Sequence, residues 1–234
     1  MSRLCLIPAK GSSTRLPRKN LREIDGVPLI GIAIKKAIAV RLFDLIVVST
    51  EDETIASVAR SFGAYVPFLR ETDLAVDPAT VVDVAIDVIT KLSTMNLTFD
   101  SLFITLPTTP LVSLGDLQEA VAIFDSANGA TVMSVCACEF PPFNSFLMDE
   151  GELRPCFPDS NYTFVKSTEC PETFRSNGAI IGCNIENFLH HRSYRRGKLL
   201  PHIMPPERSI DIDTEFELEV AKLLYKARKS DRNC

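Results

Sequence analysis

Residues 7–20, I-P-A-K-G-S-S-T-R-L-P-R-K-N, concentrate the polar chemistry of the N-terminal region. Lys10, Arg15, Arg18 and Lys19 place four positive charges within ten residues. That charge matches a triphosphate, and cationic clamps on a transferring phosphoryl group are a principal source of its catalysis. Gly11, Ser12 and Ser13 are small enough for backbone N–H groups to approach an anion closely, as in phosphate-binding nests. The glycine spacing is neither that of a Walker A loop nor that of a dinucleotide fingerprint. A solvated basic loop is the plain alternative. The position directly after an apolar run, with small residues first, favours the phosphate site.

The second group is S-I-D-I-D-T-E, residues 209–215. Asp211 and Asp213 are two apart, so in an extended segment both carboxylates face one side. A hard cation such as Mg2+ takes one or two carboxylates together with phosphate oxygens. Such an ion would neutralise a triphosphate and orient its α-phosphate. Asp213 or Thr214 is equally suited to cap a helix starting near Glu215, and the residues by themselves favour the cap.

These groups need a scaffold. Residues 3–8 and 45–49 read as short buried strands, 102–106 and 131–137 as two more, and 65–69 as a further short one. Helices are expected over residues 28–40, from a cap at Thr50 to Ser61, over 80–92 and over 114–125. Thr50, Glu51, Asp52 and Glu53 put a hydroxyl and acids at the start of the second of these. Strand and helix therefore alternate through the first 137 residues, the pattern of an open doubly wound, mostly parallel α/β sheet. Ligands are expected at the carboxyl ends of its strands. Residues 139–175 break the pattern: rich in Pro, Phe and polar residues, they read as an inserted arm or small β subdomain within a single domain over 1–234. A return strand over 178–183 and a closing helix over 216–227 complete the expectation.

The bulk properties restrict the function classes. With 25 Lys and Arg against 30 Asp and Glu, the net charge of −5 argues against a general nucleic-acid binder. No apolar run is long enough to span a membrane, and a cytoplasmic location is expected. Cys5, Cys136, Cys138, Cys156, Cys170, Cys183 and Cys234 are odd in number and scattered, so reduced core thiols are expected rather than a disulfide framework or zinc site.

The 7–20 segment resembles the N-terminal signature of the sugar-acid cytidylyltransferases, the N-acylneuraminate and pseudaminate type, roughly A-R-x-x-S-K-x-[IL]-P-x-K-N. Further blocks are similar and occur in the family's order: F-D-L-I-V-V-S-T-E-D-E (43–53), L-R-E-T-D-L-A-V-D (69–77), L-P-T-T-P-L (106–111), F-R-S-N-G-A-I (174–180) and S-I-D-I-D-T-E (209–215). The resemblance implies a Rossmann-like nucleotidyltransferase that joins CTP to a 2-keto-sugar acid. By the matching positions, Lys10, Gly11, Ser13, Arg15 and Lys19 hold the triphosphate and Asn20 contacts the nucleoside. Arg70, with Thr80 as a second candidate, reads the cytidine. Arg175 and Asn177 support the sugar site, and Asp211 and Asp213 hold magnesium, which tips that pair from cap to metal. A homodimer is expected, the 139–175 arm reaching into the neighbour's sugar site.

Three departures from the signature bear on this. Lys10 stands where the family has arginine, keeping charge but not bidentate geometry. Thr14 stands at a lysine position, which passes that charge to Arg15. Leu106 replaces a glutamine that hydrogen-bonds the sugar in the sialate enzymes. The loop also resembles that of the KDO-type CMP-sugar synthetases, and a non-catalytic nucleotide-binding relative is the reading from another class. Pyrophosphate release from CTP discriminates the last.

Overall fold

In a computed structural model, which describes residues 1–127 and 129–231, the chain alternates as the pattern requires. The elements are β1 (Arg3–Pro8), β2 (Glu23–Ile24), β3 (Val27–Pro28), α1 (Leu29–Ala39), β4 (Leu45–Ser49), α2 (Glu53–Ser61), α3 (Val81–Thr94), β5 (Ser101–Thr105) and α4 (Leu114–Ser126). They continue with β6 (Thr131–Ala137), β7 (Phe146–Asp149), β8 (Glu152–Pro155), β9 (Phe174–Asn184), α5 (Ile185–His191), β10 (Leu199–Ile203) and α6 (Glu215–Asp231).

One mixed sheet runs in the order β10-β6-β9-β5-β1-β4. β1 is parallel to both β4 and β5, and β6 is parallel to β10, whereas β9 runs antiparallel between β5 and β6. The period-2 alternation of the strands divides the core. Leu4, Leu6, Leu102 and Ile104 pack beneath α3 and α5 against Val88, Leu92 and Phe188. Cys5 and Ile7 face the other way, onto Ile30, Ile34, Ile55 and Ala59 of α1 and α2. Phe103 points to that same side, where it meets Val121 and Phe124 of α4. Burying each such side chain contributes about 1.5–3 kcal/mol.

Several boundaries differ from expectation. Asp52, not Thr50, caps α2, its carboxylate accepting from the N–H groups of Thr54 (2.7 Å) and Ile55 (3.1 Å). Residues 65–69 form no strand: Tyr65 makes a single bridge to Val47. β9 begins at Phe174, earlier than expected, because its first residues pair with the end of β6. The β2–β3 hairpin, which was not expected, turns at Asp25 (φ 52°) and Gly26 (φ 72°), both left-handed as a two-residue turn requires. β10 and α5 were not foreseen. Cys5, Cys136 and Cys183 are core residues, but Cys138, Cys156 and Cys170 are only half-buried, and Cys234 lies outside the described residues. Burial pushes the Cys183 thiol up to about 12. No helix among the described residues is long and apolar enough to cross a membrane.

Candidate active site

β1, β4 and β5 are parallel, so their carboxyl ends share one edge of the sheet. The basic loop leaves β1 there. Leu16 anchors it: this side chain is 2% exposed and packs with Ile24, Leu29, Ile212 and Leu218. Buried Asn20 closes the loop on itself, its amide donating to the carbonyl of Lys10 at 2.8 Å. With both ends held, the charged side chains between them turn outward.

The acidic segment arrives from the other side. Ile212 is fully buried beside Leu16, and its N–H donates to the Thr108 carbonyl at 2.8 Å. In an extended chain that directs the two flanking carboxylates away from the core together. Asp213 lies 2.8 Å from Lys19 Nζ and 2.8 Å from an Arg15 guanidinium nitrogen. Burial disfavours its charge, but the hydrogen bond and charge of Lys19, reinforced by Arg15, outweigh this and hold the carboxyl below its usual range. Asp211 behaves oppositely. Burial raises its pKa, the charge of Asp213 adds to the rise, and a hydrogen bond from Thr108 only partly offsets them. At the start of α6, Glu217 accepts from the N–H groups of Asp213 (2.9 Å) and Thr214 (2.7 Å) and from the Thr214 hydroxyl (2.9 Å). Neither aspartate's carboxylate takes part in these bonds.

A cleft of ≈210 Å³ collects Lys10, Lys19, Asn20, Arg70, Thr80, Leu106, Asp211 and Asp213. Arg70 is nearly closed off, with 3% of its side chain exposed and a 2.6 Å ion pair to Glu51. Thr80 stands on the rim, where its hydroxyl is engaged in the capping box of α3 with Asp83. Gly11 directs its N–H at Glu51 (2.6 Å) rather than into the open cleft. Arg15 reaches the site through Asp213, while Ser13 and Arg175 are not among the cleft's lining residues. Larger hollows of ≈630 and ≈380 Å³ lie elsewhere, beside α3 and α5 and between α1 and α6, but neither touches the loop or the acidic pair.

Asn177 is a correction. It is 1% exposed and wholly engaged inside the protein, accepting from Ser134 Oγ (2.6 Å) and donating to Ser209 Oγ (2.9 Å). It therefore braces the acidic segment from behind rather than facing a ligand. Beside it Gly178 (φ 69°) lets the chain pass so close that a Cβ there would lie 3.2 Å from Leu106 and 3.3 Å from Asp211. Two supporting groups were missed. Glu51 read only as a helix-start acid. Asp116, 2% exposed, holds Arg208 through two 3.0 Å bonds and lies 3.3 Å from buried His202. Both pairings are long-range, and no local pattern announces them.

A family model described as cytidylyltransferase matches residues 4–126. Across 97% of both chains, the protein is 30% identical to a pseudaminic acid cytidylyltransferase of Campylobacter jejuni. The chain is a member of the cytidylyltransferase family. It is also 33% identical to a CMP-N,N'-diacetyllegionaminic acid synthase of Legionella pneumophila, over 95% of this chain and 96% of that one. An N-acylneuraminate cytidylyltransferase of Escherichia coli is 27% identical over 98% of this chain but 53% of its own length. Among solved structures, a CMP:2-keto-3-deoxy-manno-octonic acid synthetase has the same fold, with a TM-score of 0.71 at 16% identity over 97% of this chain and all of that one. As a cytidylyltransferase family member, the protein is a nucleotidyltransferase.

Proposed function

We infer that the protein transfers the cytidylyl group of CTP to the anomeric hydroxyl of a nonulosonic, sialic acid-like 2-keto-sugar acid, forming a CMP-sugar and releasing pyrophosphate. The observation that carries this is the meeting, in one cleft, of Lys10, Lys19 and Arg70 with Asp211 and Asp213. The pseudaminate and legionaminate relatives, aligned nearly end to end, support the acceptor class. Lys10 and Lys19 bind the triphosphate, with Arg15 beside them. Arg70 faces the nucleoside, and Asn20 keeps the loop in shape. The acceptor oxygen attacks the α-phosphorus in line as its bond to the pyrophosphate oxygen breaks. Positioning and charge stabilisation supply most of the rate in such transfers.

Magnesium fits the residues present. Asp211 is a half-buried carboxylate whose charged form is disfavoured, and it makes no salt bridge among the described residues. Together with Asp213 it offers the one or two carboxylates that suffice when phosphates complete the shell. Asp211 and Asp213 would hold the ion, which supplies charge neutralisation at the triphosphate.

The arm belongs to the same reading, as does a cytoplasmic location. Phe140 (76%), Met148 (71%), Leu153 (63%) and Phe164 (76%) are largely exposed, an apolar load that a second copy of the chain would cover in a homodimer. A light-scattering mass near one chain at assay concentration would refute this.

The decisive experiment measures pyrophosphate release from CTP and magnesium with sialic, legionaminic, pseudaminic and KDO-type acids in turn. Turnover with a nonulosonic acid is expected. Turnover with the KDO-type acid alone would move the acceptor class. CTP binding with no turnover on any acid would mark a nucleotide-binding relative that has lost catalysis.

A further inference from the structure

Glu51 places a carboxylate at the phosphate loop, where it is electrostatically misplaced. Its Oε1 accepts the Gly11 N–H at 2.6 Å, and its Oε2 accepts from Arg70 Nη2 at 2.6 Å. Burial disfavours its charge, but the Arg70 hydrogen bond, then the Gly11 N–H and the Arg70 charge, hold the carboxyl below its usual range. The group is ionised at neutral pH and would repel a triphosphate.

The surroundings are built around this bridge. Gly11 comes so near the turn after β4 that a Cβ on it would lie 2.9 Å from Asp52, so a larger residue could not make the approach. The Arg70 backbone is tied to the same turn, its N–H donating to the Thr50 carbonyl at 2.8 Å. The guanidinium is 95% or more withdrawn from solvent, and its Nε has no hydrogen-bond partner among the described residues. An arginine this enclosed keeps one orientation only while its carboxylate partner is present, because an unpaired buried charge is strongly disfavoured.

We propose that Glu51 is a positioning residue for the nucleotide: one carboxylate sets the Gly11 end of the phosphate loop and the Arg70 guanidinium at once, so the triphosphate and nucleoside halves of the cleft are held in fixed relation. This rests on the CTP reading given above. It also reverses the sign expected from simple electrostatics. Removing a negative charge beside a triphosphate site should tighten CTP, whereas removing a positioning group should weaken it.

The test is CTP binding by calorimetry, with magnesium present, to wild type, Glu51→Gln, Arg70→Gln and the double variant, each also followed by thermal melting. Glu51→Gln can keep the Gly11 bond through its amide oxygen, so it is expected to fold. It should bind CTP about tenfold more weakly, a change of about 1.4 kcal/mol. It should cost little further in the Arg70→Gln background, since groups acting as one unit are not additive. The KM for the sugar acid should be unchanged. Equal or tighter CTP binding by Glu51→Gln, or additive losses in the double variant, would overturn the assignment. So would a CTP loss that merely accompanies a collapse in melting temperature and a matching rise in acceptor KM. A well-folded wild type that binds no CTP would instead remove the reading on which it rests.

Discussion

Asp116→Asn tests whether the acidic segment is held from outside the cleft. Asp116 is 2% exposed and accepts from Ser113 N (2.8 Å), Ser113 Oγ (2.6 Å), Arg208 Nε (3.0 Å) and Arg208 Nη2 (3.0 Å), with His202 Nε2 at 3.3 Å. Arg208 stands just ahead of Ser209 and the aspartates, so this pair clamps their segment to the start of α4. An asparagine has one acceptor oxygen, and its NH2 must face a donor on one side or the other. Breaking a buried ion pair from one side costs about 3–5 kcal/mol. The Arg208 side chain is 30% exposed and can regain some hydration, which puts the cost near the lower end, about 3 kcal/mol. For a chain of this size that is a fall in melting temperature of about 6–12 °C. The pH dependence has a definite sign. Although burial opposes ionisation, His202, Arg208 and Ser113 together hold the Asp116 carboxyl well below the usual carboxylate range. Its contribution is therefore present above the unfolded-state pKa of about 3.9 and is lost as pH falls through the lower folded value. Thermal melts of wild type and variant from pH 7 to pH 3 should show a gap that holds to about pH 5 and narrows below about pH 4. A gap under about 2 °C at pH 7 would refute the clamp. A gap that stays constant to pH 3 would refute its electrostatic origin.

Other expectations follow from the same geometry. Asp211→Asn should lower turnover at least about a hundredfold. It should also raise the neutral-pH melting temperature, because burial raises the Asp211 pKa in the folded state and its stabilising contribution is lost as pH rises through that value; a destabilised variant would contradict this. Lys19→Ala should change stability by no more than about 1 kcal/mol, its ion pair being partly exposed, yet reduce kcat/KM for CTP about a hundredfold; steady-state kinetics beside urea unfolding separates the two. Gly178→Ala should cost more than Gly197→Ala: both have positive φ (69° and 84°), but a Cβ at 178 meets Leu106 and Asp211 whereas one at 197 meets nothing within 4 Å. Equal urea midpoints for those two variants would show that the close approach does not matter.

Much of this fold is local in origin and therefore legible. The β-branched run of β4 and the apolar spacing of α3 and α4 are consequences of neighbouring residues, and periodicity carries them. The position of the basic loop after β1 likewise put it at the carboxyl edge of the sheet, as the alternation implied. What stayed hidden depended on contacts between distant segments. Glu51 read as a helix-start acid, yet its carboxylate turns to Gly11, forty residues away, and to Arg70. Asn177 could be matched to a family position, but only packing showed that Ser134 and Ser209 consume its polar groups. Along the chain Asp213 read as a helix cap, and only the family resemblance tipped it toward metal. Burial of Ile212 against Leu16 turned both flanking carboxylates into the cleft, and Glu217 took the N–H and hydroxyl of Thr214. Sequence alone determined which chemical groups were present and which short segments carry them. The tertiary structure decided which side of each segment faces the cleft, because a side chain's direction depends on what the opposite face must bury.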